Sequence, residues 1–98
     1  MKNSHETAVF AAEIGNPPTI DLHNAIDTHD GVRDLEMFID RQYRGGTSTV
    51  KIIHGRGSGA MRRAVHDSLK INPLVVFYRD AQAPHSMGGV TYAVLNPT

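Results

Sequence analysis

The stretch Val50 to Arg63, VKIIHGRGSGAMRR, constrains this chain more than any other. An apolar run from Val50 to Ile53 stops abruptly at His54. Glycines then alternate at positions 55, 57 and 59, and the residues beyond them have a helical pattern. Strand, glycine turn and helix N-terminus in succession make a device for holding an anion. Alternate glycines let the backbone approach a ligand closely, and the first free N–H groups of the helix point at it. His54 and Arg56 lie inside the turn and add a titratable ring and a fixed positive charge. A turn that needed glycine only for its shape would require neither.

The rest of the chain arranges itself around this turn. Residues 1 to 18 show no sustained period and end in Asn16-Pro17-Pro18, which predicts an irregular lead-in to a domain spanning 19 to 96. A short first strand is expected at Thr19 to Leu22, with Asp21 and His23 on one side and Ile20 and Leu22 on the other. Asp27 or Thr28 can cap a helix whose apolar stripe is Val32, Leu35, Phe38, Ile39 and Tyr43. Gly31 weakens its first turn, and Gly45-Gly46 stops it behind Arg41 and Arg44. The second strand is Ser48 to Ile53. The second helix runs from about Ser58 to Lys70 with Met61, Ala64, Val65 and Leu69 inward, leaving Arg62, Arg63 and His66 outward or at the edge. Leu74 to Tyr78 (LVVFY) reads as a buried third strand, and Val90 to Leu95 as the fourth.

The order is thus βαβαββ. Helical crossovers make the first three strands parallel, and the last can return antiparallel to the third. In open α/β folds ligands bind beyond the carboxyl ends of parallel strands. Asp21 and His23 end the first strand there, and His54 and Gly55 end the second. An antiparallel fourth strand would bring Gly88 and Gly89 to the same edge. Three polar or glycine-rich turns therefore converge on one site.

With 98 residues, 40% hydrophobic and 20% charged, the chain is long enough for one core. No apolar run approaches a membrane span, and Glu6 and Glu13 in the N-terminal stretch are unlike a secretory signal. Absence of cysteine excludes disulfides and thiolate metal sites and fits a cytoplasmic setting. Net charge is zero, which argues against a polyanionic partner until its distribution is considered. Met1 to Asp40 holds eight acids against Lys2 and Arg33, whereas Arg41 to His66 holds six basic residues and no acid. A positive field centred on the glycine turn is the expectation.

Several chemistries fail on spacing. The glycines read GxGxG after the second strand, so a dinucleotide fold is disfavoured even with Asp80 in place of a ribose-binding acid. No Gly-Lys-Ser/Thr follows, which excludes a nucleotide P-loop, and Ser58 lies in no strained nucleophile elbow. Six histidines invite zinc, and His23 and His54 could meet across adjacent strands, but Arg56 opposes a cation there, so no metal-ligand set is assigned. Phosphodiester binding or hydrolysis remains. The turn would hold a phosphate with Arg56 on its developing charge. His54 or His23 would move protons, and Asp21 would orient a histidine or hold Mg²⁺. Lys51, Arg62 and Arg63 would contact flanking phosphates.

The motifs Ile20-Asp21-Leu22-His23, Ile53-His54-Gly55-Arg56-Gly57-Ser58-Gly59 and Gly88-Gly89-Val90-Thr91 together resemble the small MutS-related (Smr) domain over residues 18 to 96. The resemblance implies an α/β two-layer sandwich similar to the C-terminal domain of translation initiation factor three, with the fourth strand between the second and third of a mixed sheet. It also implies nicking or endonuclease activity on DNA or RNA, or binding of branched or structured nucleic acid without cleavage. By resemblance Asp21, His23 and His54 are the candidate catalytic residues. Gly55, Gly57 and Gly59 belong to the second motif, and Gly88 and Gly89 to the third. Lys51, Arg56 and Arg62 complete the nucleic-acid contacts. The cofactor is left open, with Mg²⁺ or Mn²⁺ the candidates, and so is the oligomeric state. Asn24 replaces the glycine usual after this first motif, a position at which left-handed backbone is expected. The chain reads as a free-standing domain or a piece of a longer protein.

Overall fold

The computed structural model describes residues 4–98. Its elements are α1 (Ser4–Ile14), β1 (Thr19–Asp21), α2 (Thr28–Arg44), β2 (Thr49–Ile53), α3 (Ala60–Ile71), β3 (Val75–Asp80) and β4 (Val90–Leu95). The four strands form one mixed sheet in the order β1-β2-β4-β3. β1 and β2 are parallel, and β4 is antiparallel to both of its neighbours. The βαβαββ expectation, including the inserted last strand, describes this sheet.

Helices α2 and α3 cover one face. The core there joins Leu35, Phe38 and Ile39 of α2, Val65 and Leu69 of α3, and Val50, Ile52, Ala93 and Leu95 of the sheet. Asp27 caps α2 by accepting the Asp30 N–H at 2.8 Å, which meets one of the N-terminal amides that no helical carbonyl can reach. Gly31 does more than loosen the first turn. A Cβ there would lie 2.6 Å from Met61 Cε, so its absence lets the α3 methionine rest on α2.

Two expectations need correction. The lead-in is not irregular throughout, because residues 4 to 14 form α1; residues 1 to 3 lie outside the described part. Val9 of α1 is fully buried against Val90, Tyr92 and Val94, on the sheet face opposite α2 and α3. Polar contacts hold the helix as well. Arg79 Nε donates to Glu6 at 2.7 Å, and the Glu13 carboxylate accepts the Gln82 and Ala83 N–H groups at 2.8 and 2.9 Å. The helix has a weak sequence period because only a narrow stripe, Val9 with Ala8 and Ala12, meets the sheet. Second, the buried strand is β4, whose six residues are all buried, whereas β3 is an edge with Val76 39% exposed beside an irregular register. Insertion of β4 pushed the more apolar run outward. Among the described residues no helix is long and apolar enough to cross a membrane.

The packing of α1 separates neighbouring residues. Val9→Ala is expected to cost about 2 kcal/mol, by lost burial and an unfilled space, read as a lower urea midpoint at unchanged slope. Phe10→Ala, at a site 58% exposed, is expected to stay within about 0.5 kcal/mol. Equal effects would mean that α1 is not docked by this face.

Candidate nucleic-acid site

The Gly89 carbonyl accepts both the His54 and the Gly55 N–H, each at 3.0 Å. That pair ties the start of the glycine turn to the start of β4. Gly55, Gly57 and Gly59 all have positive φ, of 77°, 28° and 88°, so the alternation in sequence follows from backbone shape. At Gly55 there is a second reason: a Cβ would sit 3.0 Å from His23 Cβ, so glycine lets the first motif close onto the second. Asn24 has no left-handed role, since among the described residues no non-glycine residue has positive φ. The chain turns there through an Ala25 N–H bond to the Leu22 carbonyl at 3.1 Å, which any residue permits.

Arg56 braces the edge. Its Nε and one terminal nitrogen donate to the Met87 and His85 carbonyls, both at 2.9 Å, and its stem lies over Gly88 and Gly89. Two of its nitrogens are thus spent on the loop, while the side chain stays at the surface with its charge. Arg56 and Gly55 form a ridge between two clefts. One, of about 250 Å³, is lined by His23, His54, Gly57, Gly59 and Arg62 and lies between the N-termini of α2 and α3. The other, of about 260 Å³, is lined by Lys51, Ile53, His85 and Gly89 on the α1 side. The expected contact residues are therefore divided between two faces of one edge. α3 begins at Gly59 with no acid in its first turn. Among the described residues the one side chain that meets its N-terminal amides is the neutral Ser58 hydroxyl, 3.3 Å from the Ala60 N–H, so no protein anion offsets its positive end. The +6 stretch is less free than its sequence implies: Arg44 pairs with Asp40 and Arg62 with Asp80.

Asp21 and His23 form a surface pair, each about half exposed. Asp21 Oδ1 receives the His23 ring Nδ1 and, at 3.0 Å, the His23 backbone N–H. These hydrogen bonds, the ring's first, hold the Asp21 carboxyl below its ordinary value. Both contacts fall on Oδ1, which leaves Oδ2 for a cation or a water. That supplies one oxygen ligand, a fit for a largely hydrated Mg²⁺ or Mn²⁺ that shares phosphate oxygens.

His54 is different. It is 4% exposed, with Nε2 2.9 Å from Thr91 Oγ1 and Nδ1 3.0 Å from the Gly55 carbonyl oxygen. Burial pushes its pKa below the ordinary value, against the upward pull of the Gly55 carbonyl and Asp80. Thr91, buried completely, donates to Asp80 Oδ1 at 2.8 Å. His66 Nε2 lies 2.8 Å from the same oxygen, and Arg62 holds Oδ2. Burial alone would raise the Asp80 pKa, but the bonds from Arg62, Thr91 and His66 outweigh it and lower the value. His66, Asp80 and Thr91 were not among the expected site residues. One signal pointed to the first two: Arg62 and His66 are four apart on a helix, and an acid ends the next strand. His54, His66 and Asp80 bring metal-ligating atoms within 4.8 Å of one another. Yet the Thr91 hydroxyl stands among them at hydrogen-bond distance, and Arg62 already neutralises the carboxylate. The cluster is a hydrogen-bonded network.

A family model described as the Smr domain matches residues 20–96. The chain belongs to the Smr domain family. Endonuclease MutS2 of Aquifex aeolicus is 44% identical over 69 residues, which are 70% of this chain and 9% of that protein. Endonuclease MutS2 of Halothermothrix orenii is 37% identical over 78 residues, 80% of this chain and 10% of that protein. The chain thus spans about a tenth of the length of these relatives. The crystal structure of the Smr domain of Thermus thermophilus MutS2 superposes with a TM-score of 0.76 at 27% identity, over 82% of this chain and 99% of that one. YdaL, a stand-alone small MutS-related protein of Escherichia coli, shares the fold at a TM-score of 0.74 and 23% identity, over 97% of this chain and 79% of its own. The Smr model begins at β1, so α1 lies outside the matched residues.

Two measurements test this Smr site. Stability rises with pH wherever the unfolded chain binds more protons than the folded one. His54 is held below its ordinary 6.5, so its contribution is complete above that pH and is lost as pH falls from it. Asp80 and Glu13 are lowered from 3.8 and 4.5, so their contributions are lost only in a more acid window. Urea midpoints against pH are expected to fall in two phases, with His54→Asn erasing the upper one. Persistence of that phase in the variant would remove His54 as its source. Gly55→Ala is expected to cost about 1–3 kcal/mol, because alanine resists the required φ and meets His23; a neutral outcome would show the turn to be malleable.

Proposed function

We propose that this Smr domain binds the phosphate backbone of DNA or RNA along its glycine edge and hydrolyses it as a nicking endonuclease. The observation that carries the reading is the junction at Gly55. There a positive-φ glycine turn, the acid-free N-terminus of α3 and His23, backed by its partner Asp21, meet at one cleft. Backbone N–H groups of Gly57, Gly59 and the first turn of α3 would receive phosphate oxygens. Arg56 would hold the charge on the phosphoryl oxygens in the transition state. Lys51 and Arg62 would bind phosphates on either side of the ridge, and Gly88 and Gly89 would let the strand pass close. Binding of this kind reads no sequence and weakens steeply with salt. Asp21, His23 and His54 are the proton-handling groups: His23 is available at the surface, Asp21 orients it and offers Oδ2 to a Mg²⁺ or Mn²⁺, and His54 lies behind the turn. The metal, where used, would polarise the phosphate and its attacking water. The absence of cysteine suits action in the cytoplasm. The endonuclease name of the MutS2 relatives supports the reaction class.

A second reading, a module that binds branched or structured nucleic acid without cutting it, is favoured by one observation. Both His54 nitrogens are engaged within the protein. Purified wild type, Asp21→Asn and His23→Gln are to be incubated with plasmid DNA and with structured RNA, each with Mg²⁺, Mn²⁺ or chelator. The nuclease reading expects wild-type cleavage that Asp21→Asn slows by about 10²-fold or more, while retardation of the same nucleic acid is preserved. Equal cleavage by all three proteins would mark a contaminant. Salt-sensitive retardation with no cleavage by any would establish the binding module instead.

A further inference from the structure

The protons of the buried network do not suffice for every contact. Thr91 has one hydroxyl proton and three neighbours that could take it: Asp80 Oδ1 at 2.8 Å, His54 Nε2 at 2.9 Å and His66 Nε2 at 3.1 Å. A neutral His54 ring likewise has one N–H and two oxygens to face, Thr91 Oγ1 and the Gly55 carbonyl at 3.0 Å. The competition is decided at Asp80. A hydroxyl oxygen held against a carboxylate must donate to it, since otherwise two electron-rich oxygens would be pressed together in a buried place where repulsion is poorly screened. His66 then donates its Nε2–H to the same carboxylate, and Arg62 fixes the other oxygen. With its proton committed, Thr91 can only accept, and the two rings that face its oxygen are those of His54 and His66. Of the two His54 contacts the one to Thr91 is buried and the one to Gly55 only partly so, and the single ring proton belongs on Nε2, where two facing acceptors would be least screened.

We propose that Asp80, acting through the Thr91 hydroxyl and steadied by His66 and Arg62, fixes His54 as the Nε2–H tautomer and leaves Nδ1 as a lone-pair nitrogen at the glycine turn. Asp80, Thr91 and His66 are positioning residues, because they act on the site only through His54. A proton arriving at Nδ1 would be shared with the Gly55 carbonyl, in the same peptide segment whose N–H groups bond Gly89. Proton uptake there would tighten the turn without any atom having to travel. The consequence for catalysis rests on the proposed function; the tautomer itself does not.

The test needs no nucleic acid. Long-range ¹H–¹⁵N correlation spectra of the ¹⁵N-labelled protein at about pH 7.5, above the ordinary histidine pKa, report which ring nitrogen is protonated. The spectrum of His54→Gln assigns the His54 signals by their loss. The wild type is expected to show His54 as Nε2–H. In Asp80→Asn, Arg62 keeps the amide oxygen, so the amide NH₂ faces Thr91 and His66. Thr91 is then free to donate to His54, and the His54 proton is expected to move to Nδ1, toward Gly55. Thr91→Val, similar in shape but without the hydroxyl, removes the acceptor and is expected to cause the same switch by a separate route. A wild-type His54 already protonated at Nδ1 would overturn the proposal. So would a tautomer that stays Nε2–H in Thr91→Val or in folded Asp80→Asn. Should Asp80→Asn not fold, the wild-type and Thr91→Val spectra decide alone. Failure of cleavage in the nuclease assay leaves these spectra unaffected, so the two ideas fail separately.

Discussion

Everything at this edge depends on one carbonyl. Gly89 accepts from two successive amides, His54 and Gly55, and so joins the end of a parallel strand to the beginning of the antiparallel strand inserted beside it. Without that junction the glycine turn would be a loop with many shapes, since glycine restricts the backbone least. With it, the N–H groups beyond Gly55 are aimed, and the Arg56 side chain can reach back to bind the loop that supplies Gly89. The sheet order β1-β2-β4-β3 is what makes the junction possible, because it places β4 directly against β2.

Supports for this junction lie on both faces of the sheet. On one, Thr91, the second residue of β4, holds His54 to Asp80 and so links the turn to β3 and α3. On the other, α1 docks through Val9, and Glu13 grips the two amides that begin the loop to Gly89. Burial alone would raise the Glu13 pKa; the amides of Ala83 and Gln82 and the Arg79 guanidinium together lower it. A carboxylate spent on backbone amides of a functional loop is a specific use of charge. It explains why Glu6 and Glu13, read in sequence as part of an acidic half, do not oppose the basic centre: Arg79 and the loop absorb them.

Much of the fold was legible because the signals were local. Apolar spacing placed α2 and α3, Asp27 and Gly45-Gly46 bounded α2, and the glycine alternation placed the turn. What was hidden depended on tertiary contact. α1 buries only a narrow stripe, so its period is faint, and the prolines that follow it suggested coil. β3 carries the more continuous apolar run yet lies at the edge, because the return of β4 between β2 and β3 is a tertiary choice that nothing local announces. At the site, the positions of His23, His54 and the glycines followed from strand ends. Their separation by burial did not, since His54 and His23 look alike in sequence while one is enclosed and the other half exposed. Membership of the Smr family was readable from the same three motifs, which are the segments that meet around Gly55.

The central claim is that the edge between β2 and α3 receives phosphate. An amide-resolved NMR titration of the wild-type protein with a short single-stranded oligonucleotide, at low salt and in the presence of chelator, tests it without requiring cleavage. The account predicts that the largest shifts fall on the amides of Gly55, Gly57, Gly59 and the first turn of α3, with smaller ones at Gly88 and Gly89, and that added salt reverses them. Shifts concentrated instead on the outer faces of α1 or α2, or none at an oligonucleotide concentration that retards the protein, would contradict it.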